Sequence, residues 1–423
     1  MNIAILGYGL EGKSIEKYFQ KKGDSIDIFA DFPLKKPLDP KKYDFIFRSP
    51  SIPIHKLPKN VLAKINSSTN YFFTFCPVPI IGVTGTKGKG TTCTMITKLL
   101  EALGKKPHLV GNIGEPALDH LDELPKNSLD DIVVFELSSF QLWDLKKSPN
   151  VSVVLRIEPD HLNVHKNFDD YVSAKANIVR HQSQFESTIY FKNNADTVKI
   201  ADQSPAEKFA YPISRKSEIL KDLLDALPLV GEHNKENLEA ALLAVYAYFK
   251  PVTKKVTFNE FLKENQKALK SAIKTITPLP HHIELVRELN HVKYYDDSFC
   301  TVFPALDVAL KSFGNTPVVL IAGGSSKGTD LTPSKNAIFK NKHLKKAILI
   351  GETAPEFAKG EDPEKYILAG TDFKKAIKTA REIAESIGKD AVVLLSPAAA
   401  SFDMFKSYKD RGDQFKKIVK SLK

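Results

Sequence analysis

Between residues 79 and 103 the chain runs Pro-Ile-Ile-Gly-Val-Thr-Gly, then Thr-Lys-Gly-Lys-Gly-Thr-Thr, then a helical pattern. An apolar run, a glycine turn and a helix form the first part of a βαβ unit. Parallel strands need such a crossover, so a parallel sheet is predicted. The rest of the chain keeps the alternation. Strand-like runs fall at 2–7, 25–31 and 43–49, at 107–110, 132–135 and 151–156, and at 292–296, 317–321, 346–350 and 391–395. Helical patterns lie between them, including a long one at about 233–249, and a last helix is expected from about Asp403. This predicts the α/β class. Prolines at 77 and 79 and again at 278 and 280 divide the chain into 1–77, 78–278 and 279–423.

Hydrophobic residues make up 42 % and charged residues 26 %, enough for packed cores in each part. Without a run of about 18 apolar residues, no membrane span is expected. The start, Met-Asn-Ile-Ala-Ile-Leu-Gly, lacks the basic stretch and small-residue cleavage site of a signal peptide. Cys76, Cys93 and Cys300 are scattered, so neither a disulfide framework nor a zinc site is expected, and a cytoplasmic location suits them. The net charge of +11 has two readings, an anionic partner or a lysine-rich solvated surface. No dense basic block supports nucleic acid.

The glycine segment has the context of a phosphate loop. Gly85, Gly88 and Gly90 let backbone N–H groups converge on an anion, and the helix start adds partial positive charge. Thr86 and Lys87 complete the turn, and Lys89 is expected along the terminal phosphates. Gly90 occupies the usual hydroxyl position, so Thr91 or Thr92 must supply the hydroxyl that helps hold Mg²⁺. A merely flexible loop is the alternative.

Glu136 closes the run Ile-Val-Val-Phe, at the strand end where open α/β sheets bind ligands. A magnesium ligand or an exposed loop acid are its two readings. His161, in Glu-Pro-Asp-His, is a metal ligand or a structural histidine. Lys175, within Tyr-Val-Ser-Ala-Lys-Ala-Asn, reads as a surface lysine of a helix. Asn112 follows a strand and can reach a phosphate oxygen. Asn234 and Asn237 open a helix, and capping explains at least one of them. Gly7-Tyr8-Gly9-Leu10-Glu11-Gly12, with Asp31 at the end of the next strand, matches a dinucleotide fingerprint and by itself suggests an NAD oxidoreductase.

Taken together, GYGLEGKS (7–14), SPSIP (49–53), VTGTKGKGTT (83–92), GNIGEPAL (111–118), ELSSFQL (136–142), EPDH (158–161), YVSAK (171–175), GEHNKEN (231–237), LPHHIELV (279–286), GGSSKGTD (323–330) and LSPAAASFDMFKSYKDRGDQF (395–415) resemble the Mur ligases of peptidoglycan synthesis over nearly the whole chain. The likeness is strongest to members that add D-glutamate. It implies an ATP-dependent ligase that joins D-glutamate to UDP-N-acetylmuramoyl-L-alanine through an acyl phosphate, working as a monomer.

The resemblance also implies three domains: an N-terminal Rossmann-like unit for the uridine diphosphate, a central ATPase with a parallel sheet, and a C-terminal Rossmann-like unit for the amino acid. By motif, Lys89 and Thr91 would contact ATP phosphate and Mg²⁺. Thr91, Glu136, His161 and a carbamylated Lys175 would hold two magnesium ions. Asn112, Asn234, Asn237 and Asp297 would contact the nucleotide. Gly9, Leu10, Asp31, Ser49, Ser138 and Gln141 would serve the nucleotide sugar, and Thr301, Lys327, Ser401 and Tyr408 the D-glutamate. Three positions depart from the family pattern: Phe299 stands for a usual lysine, His282 for arginine and Tyr408 for phenylalanine. The first two remove positive charge, and Lys87, where asparagine is common, offsets part of it.

Overall fold

The computed structural model describes residues 1–35, 37–112, 115–126, 128–250, 256–326, 328 and 330–423. They form two compact units, Met1–Pro228 with His233–Ile276, and Leu229–Glu232 with Thr277–Lys423.

The first unit holds two parallel sheets. Strands β1 (Asn2–Leu6), β2 (Ser25–Phe29), β3 (Phe45–Arg48) and β4 (Ile65–Asn66) form a four-stranded sheet in the order β2-β1-β3-β4. Strands β5 (Ile80–Thr84), β6 (Lys106–Gly111), β7 (Asp131–Glu136), β8 (Val151–Val154), β9 (Ser187–Phe191) and β10 (Glu207–Tyr211) form a six-stranded sheet in the order β10-β9-β8-β5-β7-β6. Every residue of β5 and β7 is buried, as expected of strands covered on both faces. One apolar core serves both sheets. It includes Ile3, Phe19 and Phe47 from the first sheet and Val133 and Phe135 from the second. The helix Ser68–Phe75 bridges them, with the rings of Phe72 and Phe73 5.6 and 5.4 Å from Phe135.

A polar seam accompanies that core. The fully buried Arg48 donates from Nη2 to Asp144 Oδ1 (2.9 Å) and to the carbonyl of Phe140 (2.8 Å). Its Nη1 donates to the carbonyls of Ser49, Pro50 and Ile52. Asn70 donates to the carbonyl of Asp144 (2.8 Å) and accepts from the amide of Lys146 (2.9 Å).

The second unit is built on β11 (Glu284–Leu289), β12 (Val292–Asp296), β13 (Val318–Gly323), β14 (Leu344–Ile350), β15 (Tyr366–Gly370) and β16 (Ala391–Leu395), in the order β11-β12-β16-β13-β14-β15. Only β11 is antiparallel to its neighbour. Two apolar cores line the sheet, one around Leu306, Leu320 and Phe357, the other around Tyr294, Ile348 and Phe415.

The final helix starts at Tyr408 rather than near Asp403. Ser407 caps it by accepting from the amide of Asp410 (3.2 Å), which leaves Ser401–Phe405 as turns. Among the described residues no helix is long and apolar enough to cross a membrane.

Candidate functional site

Chain order places the phosphate loop. From β5 the chain crosses to β6 and β7 on one side and later to β8 on the other, so β5 stands where the direction of winding reverses. Ligands bind beyond the strand ends at such a point. The loop 85–88 leaves β5 there and enters the helix Lys89–Ala102. Gly88 has φ +83°, and a Cβ at that position would come within 2.7 Å of Asn237 Oδ1. Only glycine lets the turn and the Asn237 amide share this space.

Lys89 is half-buried and donates to the carbonyls of Gly85 (3.1 Å) and Thr86 (3.0 Å), which folds its ammonium over the loop. Burial lowers its pKa, Glu136 acts to raise it, and Lys87 to lower it. Lys87 and Gly90 stay at least partly accessible. Thr86 faces inward, where its hydroxyl contacts Tyr171 Oη (2.9 Å), donates to the Glu158 carbonyl (3.0 Å) and accepts from the Glu158 amide (2.9 Å). It braces the loop against the segment after β8. Of the two candidate hydroxyls, Thr92 is fully buried while Thr91 is partly accessible, so Thr91 is the one a ligand can reach.

Glu136, at the end of β7, is 5 % exposed, which corrects its reading as an exposed loop acid. Asn112 Nδ2 donates to its Oε1 (2.8 Å), so the two predicted residues form one polar pair beside the loop. His161 sits in a left-handed turn (φ +55°), half-exposed, its ring 5.0 Å from Phe140. Burial first, opposed by Asp160 and reinforced by Lys89, Lys175 and Lys87, lowers its pKa and favours the neutral imidazole that a metal requires.

Lys175 overturns the surface reading. It is 1 % exposed, and its Nζ donates to the Gly85 carbonyl (2.9 Å) and Thr84 Oγ1 (3.3 Å) and lies 4.7 Å over the Tyr171 ring. No carboxylate pairs with it among the described residues. Desolvation, with Lys89 nearby, pushes its pKa well below the usual lysine range. Its helix, Phe168–Arg180, turns this one polar residue inward among Tyr171, Ala174 and Ile178.

Asn237 stands in the second turn of the helix Glu232–Phe249, not at its cap, and Asn234 lies in the first. Both are buried, and Asn237 adjoins the phosphate loop.

A cavity of about 380 Å³ opens between the two sheets of this unit, lined among others by Leu10, Glu11, Ser49, Asn112, Ser138 and Gln141. Four predicted sugar-nucleotide residues therefore converge. Gly9 begins the helix Leu10–Gln20, and Gly12 packs so closely that a Cβ would meet the Gly7 carbonyl at 2.5 Å. Asp31 lies two residues past β2, exposed and paired with Lys35 (3.0 Å). Ser138 caps a short helix reciprocally with Gln141.

In the second unit, Asp297 follows β12 and is 6 % exposed. It accepts from Ser396 Oγ (2.7 Å), and burial raises its pKa to about 8. Ser401 is buried, Thr301 is partly buried, and Lys327 lies outside the described residues. The three departures from the family pattern turn out to touch. His282 stacks on Phe299 at 4.2 Å and 25°, and the Tyr408 ring meets Phe299 edge-on at 5.2 Å. Phe299 is 43 % exposed, so the group presents apolar ring surface to solvent.

A glycine loop at the switch point of a parallel sheet, a lysine folded over it, and a carboxylate, a neutral imidazole and a buried lysine around it define a phosphate-loop nucleotide-using enzyme. Residues 83–245 match the Mur ligase middle domain. The UDP-N-acetylmuramoylalanine–D-glutamate ligase of Acetivibrio thermocellus is 34 % identical, covering 99 % of this chain and 96 % of its own. That of Symbiobacterium thermophilum is 33 % identical, covering 90 % and 84 %. Among solved structures, the UDP-N-acetylmuramate–alanine ligase of Thermotoga maritima superposes with a TM-score of 0.58 at 16 % identity, covering 100 % of each chain. The ADP complex of Mycobacterium tuberculosis folylpolyglutamate synthase does so with 0.59 at 13 %, covering 84 % and 96 %; both share the fold.

The chain belongs to the Mur ligase family, whose members are ATP-dependent ligases. The glycine loop at 7–12 is thus part of a ligase and not the mark of an oxidoreductase. Sequence reasoning missed Glu11 and Tyr171. The first was hidden inside a glycine motif, and the second reads as an ordinary core aromatic.

Proposed function

We propose that the protein joins D-glutamate to the alanyl carboxylate of UDP-N-acetylmuramoyl-L-alanine, using ATP, in peptidoglycan precursor synthesis. The observation that carries this is the near full-length likeness to ligases of that name. The arrangement around Lys89 supports it. A carboxylate is a poor electrophile because oxide would have to leave. Its oxygen attacks the γ-phosphorus of ATP, the bond to ADP breaks, and an acyl phosphate forms. The amine of D-glutamate then attacks the acyl carbon, phosphate leaves, and the ammonium loses its proton.

Lys89 and the loop Gly85–Gly90 hold the phosphates and offset charge as two anions meet. Asn112 orients Glu136 and adjoins the γ-phosphate. Asn234, Asn237 and Asp297 contact the nucleotide. Thr91, Glu136, His161 and Lys175 are the proposed holders of two magnesium ions, which supply charge neutralisation between phosphate and carboxylate. A buried carboxylate, an imidazole whose burial favours its neutral form and a lysine whose desolvation disfavours its charge suit that role.

Lys175 fits carbamylation for a chemical reason. A desolvated, neutral amine attacks carbon dioxide, an N–C bond forms, one C–O π bond opens to an oxyanion, and the nitrogen loses a proton. The product is an anion suited to a metal.

The cavity with Leu10, Ser49, Ser138 and Gln141, together with Gly9 and Asp31, takes the nucleotide sugar. Thr301, Lys327, Ser401 and Tyr408 take D-glutamate. On this reading 1–77, 78–278 and 279–423 act as sugar-nucleotide, ATP and amino-acid domains of a monomeric cytoplasmic enzyme. The aromatic group at Phe299 favours a second reading, the same chemistry with another amino acid.

The test is phosphate release with Mg-ATP, UDP-N-acetylmuramoyl-L-alanine and D-glutamate, each omitted in turn, with the amide sought by mass spectrometry. Release that needs all three is expected. Release only with another amino acid would change the acceptor, and none at all would sink the ligase.

A further inference from the structure

We propose that Glu11 is a positioning residue for the nucleotide sugar, and the group that sets how its binding responds to the ligand's negative charge. This rests on the reading that the cavity between the two sheets takes that ligand.

Glu11 lies in the first turn of the helix Leu10–Gln20 and lines the cavity. Its Oε1 accepts from Gln141 Nε2 (2.9 Å), and its Oε2 accepts from Ser68 Oγ. Gln141 in turn accepts at Oε1 from both the amide and the hydroxyl of Ser138 (3.0 Å each). The relay Ser68–Glu11–Gln141–Ser138 thereby crosses from one sheet's elements to the other's. It fixes the Gln141 amide in one orientation, carbonyl on Ser138 and one N–H on Glu11, leaving its other N–H for a ligand. The Ser138 amide, a donor only, decides which way the Gln141 amide faces, and Glu11 tethers its Nε2 end at the cavity wall; without an acceptor at position 11 that end is released.

The charge argument is separate. The helix that starts at Gly9 has no side chain capping it, so its first N–H groups and partial positive charge are available to an anion. Glu11 already places a carboxylate in that field. Among the described residues, none lining the cavity is a lysine, arginine or histidine. The charged groups that act on Glu11 are Arg48 and Asp144, which pair with each other. Wherever Glu11 is ionised, a diphosphate therefore meets its charge with no cationic side chain among the described lining residues to offset it. Burial holds the Glu11 carboxyl above the usual carboxylate range. As pH rises above that range and Glu11 ionises, affinity for the anionic ligand falls.

The experiment is calorimetric binding of UDP-N-acetylmuramoyl-L-alanine to the full chain at a series of pH values, for wild type, Glu11→Gln, Glu11→Ala and Gln141→Ala. Glutamine can still accept from Gln141 and can donate to Ser68, so it keeps the orientation and removes the charge. Glu11→Gln is expected to bind about threefold to tenfold more tightly than wild type at the alkaline end of the series, with the gap closing as pH falls. Glu11→Ala is expected to bind about tenfold more weakly than Glu11→Gln at every pH.

A pH profile for Glu11→Gln that parallels wild type would overturn the charge role, and equal affinity of the alanine and glutamine variants the positioning role. Unchanged binding by Gln141→Ala would instead remove the ligand from this cavity, and with it the underlying reading. If Glu11→Ala fails to fold, the glutamine profile alone decides the charge role, and Ser68→Ala on the Glu11→Gln background, where no carboxyl titrates at position 11, decides the positioning role: weaker binding is expected and unchanged affinity would overturn it.

Discussion

Replacing Asp144 by alanine takes the counter-charge from a guanidinium that has no exposed surface. Arg48 keeps four carbonyl acceptors, from Ser49, Pro50, Ile52 and Phe140, so part of its hydrogen bonding survives. The charge itself stays buried and uncompensated. Breaking a buried pair this way costs about 3–5 kcal/mol, and the surviving carbonyls place this case near about 3 kcal/mol. With a urea dependence of about 1–3 kcal/mol per molar, the unfolding midpoint should fall by about 1 M or more.

The chain has one tryptophan, Trp143, which adjoins Asp144 and lies 5.9 Å from the Arg48 guanidinium carbon. Its fluorescence reports the seam directly in a urea titration. Asp144→Asn keeps an acceptor at Oδ1 and should lose about half as much. Asp144→Ala together with Arg48→Met should recover part of the loss, because the unpaired charge is gone. A midpoint for Asp144→Ala within about 0.2 M of wild type would refute the view that this pair locks the two sheets together.

Lys89→Ala should lower ligase turnover by about 100-fold to 1000-fold or more, with the unfolding midpoint unchanged; undiminished phosphate release would remove Lys89 from the site. Lys175→Met fills the same buried space with an apolar chain, so the fold should hold while turnover falls by about 10-fold to 100-fold, and wild-type activity in steady-state assays would end its proposed role. Asp297 holds its proton up to about pH 8 in the folded protein, against an ordinary value of 3.8. Unfolding in that window releases a proton, so this residue makes the protein less stable as pH rises from about 4 to about 8. Asp297→Asn should flatten that decline in thermal melts followed across the window, and an unaltered slope would show that burial does not hold the proton there.

The central strands and the phosphate loop were legible because each is written locally. Runs such as Ile-Ile-Gly-Val-Thr and Ala-Val-Val-Leu-Leu are almost wholly apolar, since both faces are covered. Most of the strands that escaped are short or at edges, the exception being β9 (Ser-Thr-Ile-Tyr-Phe), which lies inside its sheet. β10 (Glu-Lys-Phe-Ala-Tyr) and β11 (Glu-Leu-Val-Arg-Glu-Leu) carry charges because part of each faces water. β4 has two residues and leaves no pattern.

The site divides the same way. Lys89 and Glu136 announce themselves by position after a strand. Lys175 does not, because what buries it, the exit of β5 at Thr84 and Gly85, lies 90 residues or more away in the chain. Arg48 and Asp144 are separated by 96 residues, so no local reading could pair them. The meeting of His282, Phe299 and Tyr408 was likewise invisible in a sequence that spaces them across more than a hundred positions.

That ring group carries a consequence for how the protein responds to its ionic surroundings. Attraction between exposed charges fades over about 8 Å at physiological salt, whereas contact between flat apolar faces does not fade with salt. A ligand held at Phe299 by stacking should keep its grip as salt is added, while one held through the exposed Lys87 of the phosphate loop should loosen. The two ends of one reaction would then differ in salt tolerance, with the ring-bearing unit indifferent to concentrations that weaken the loop.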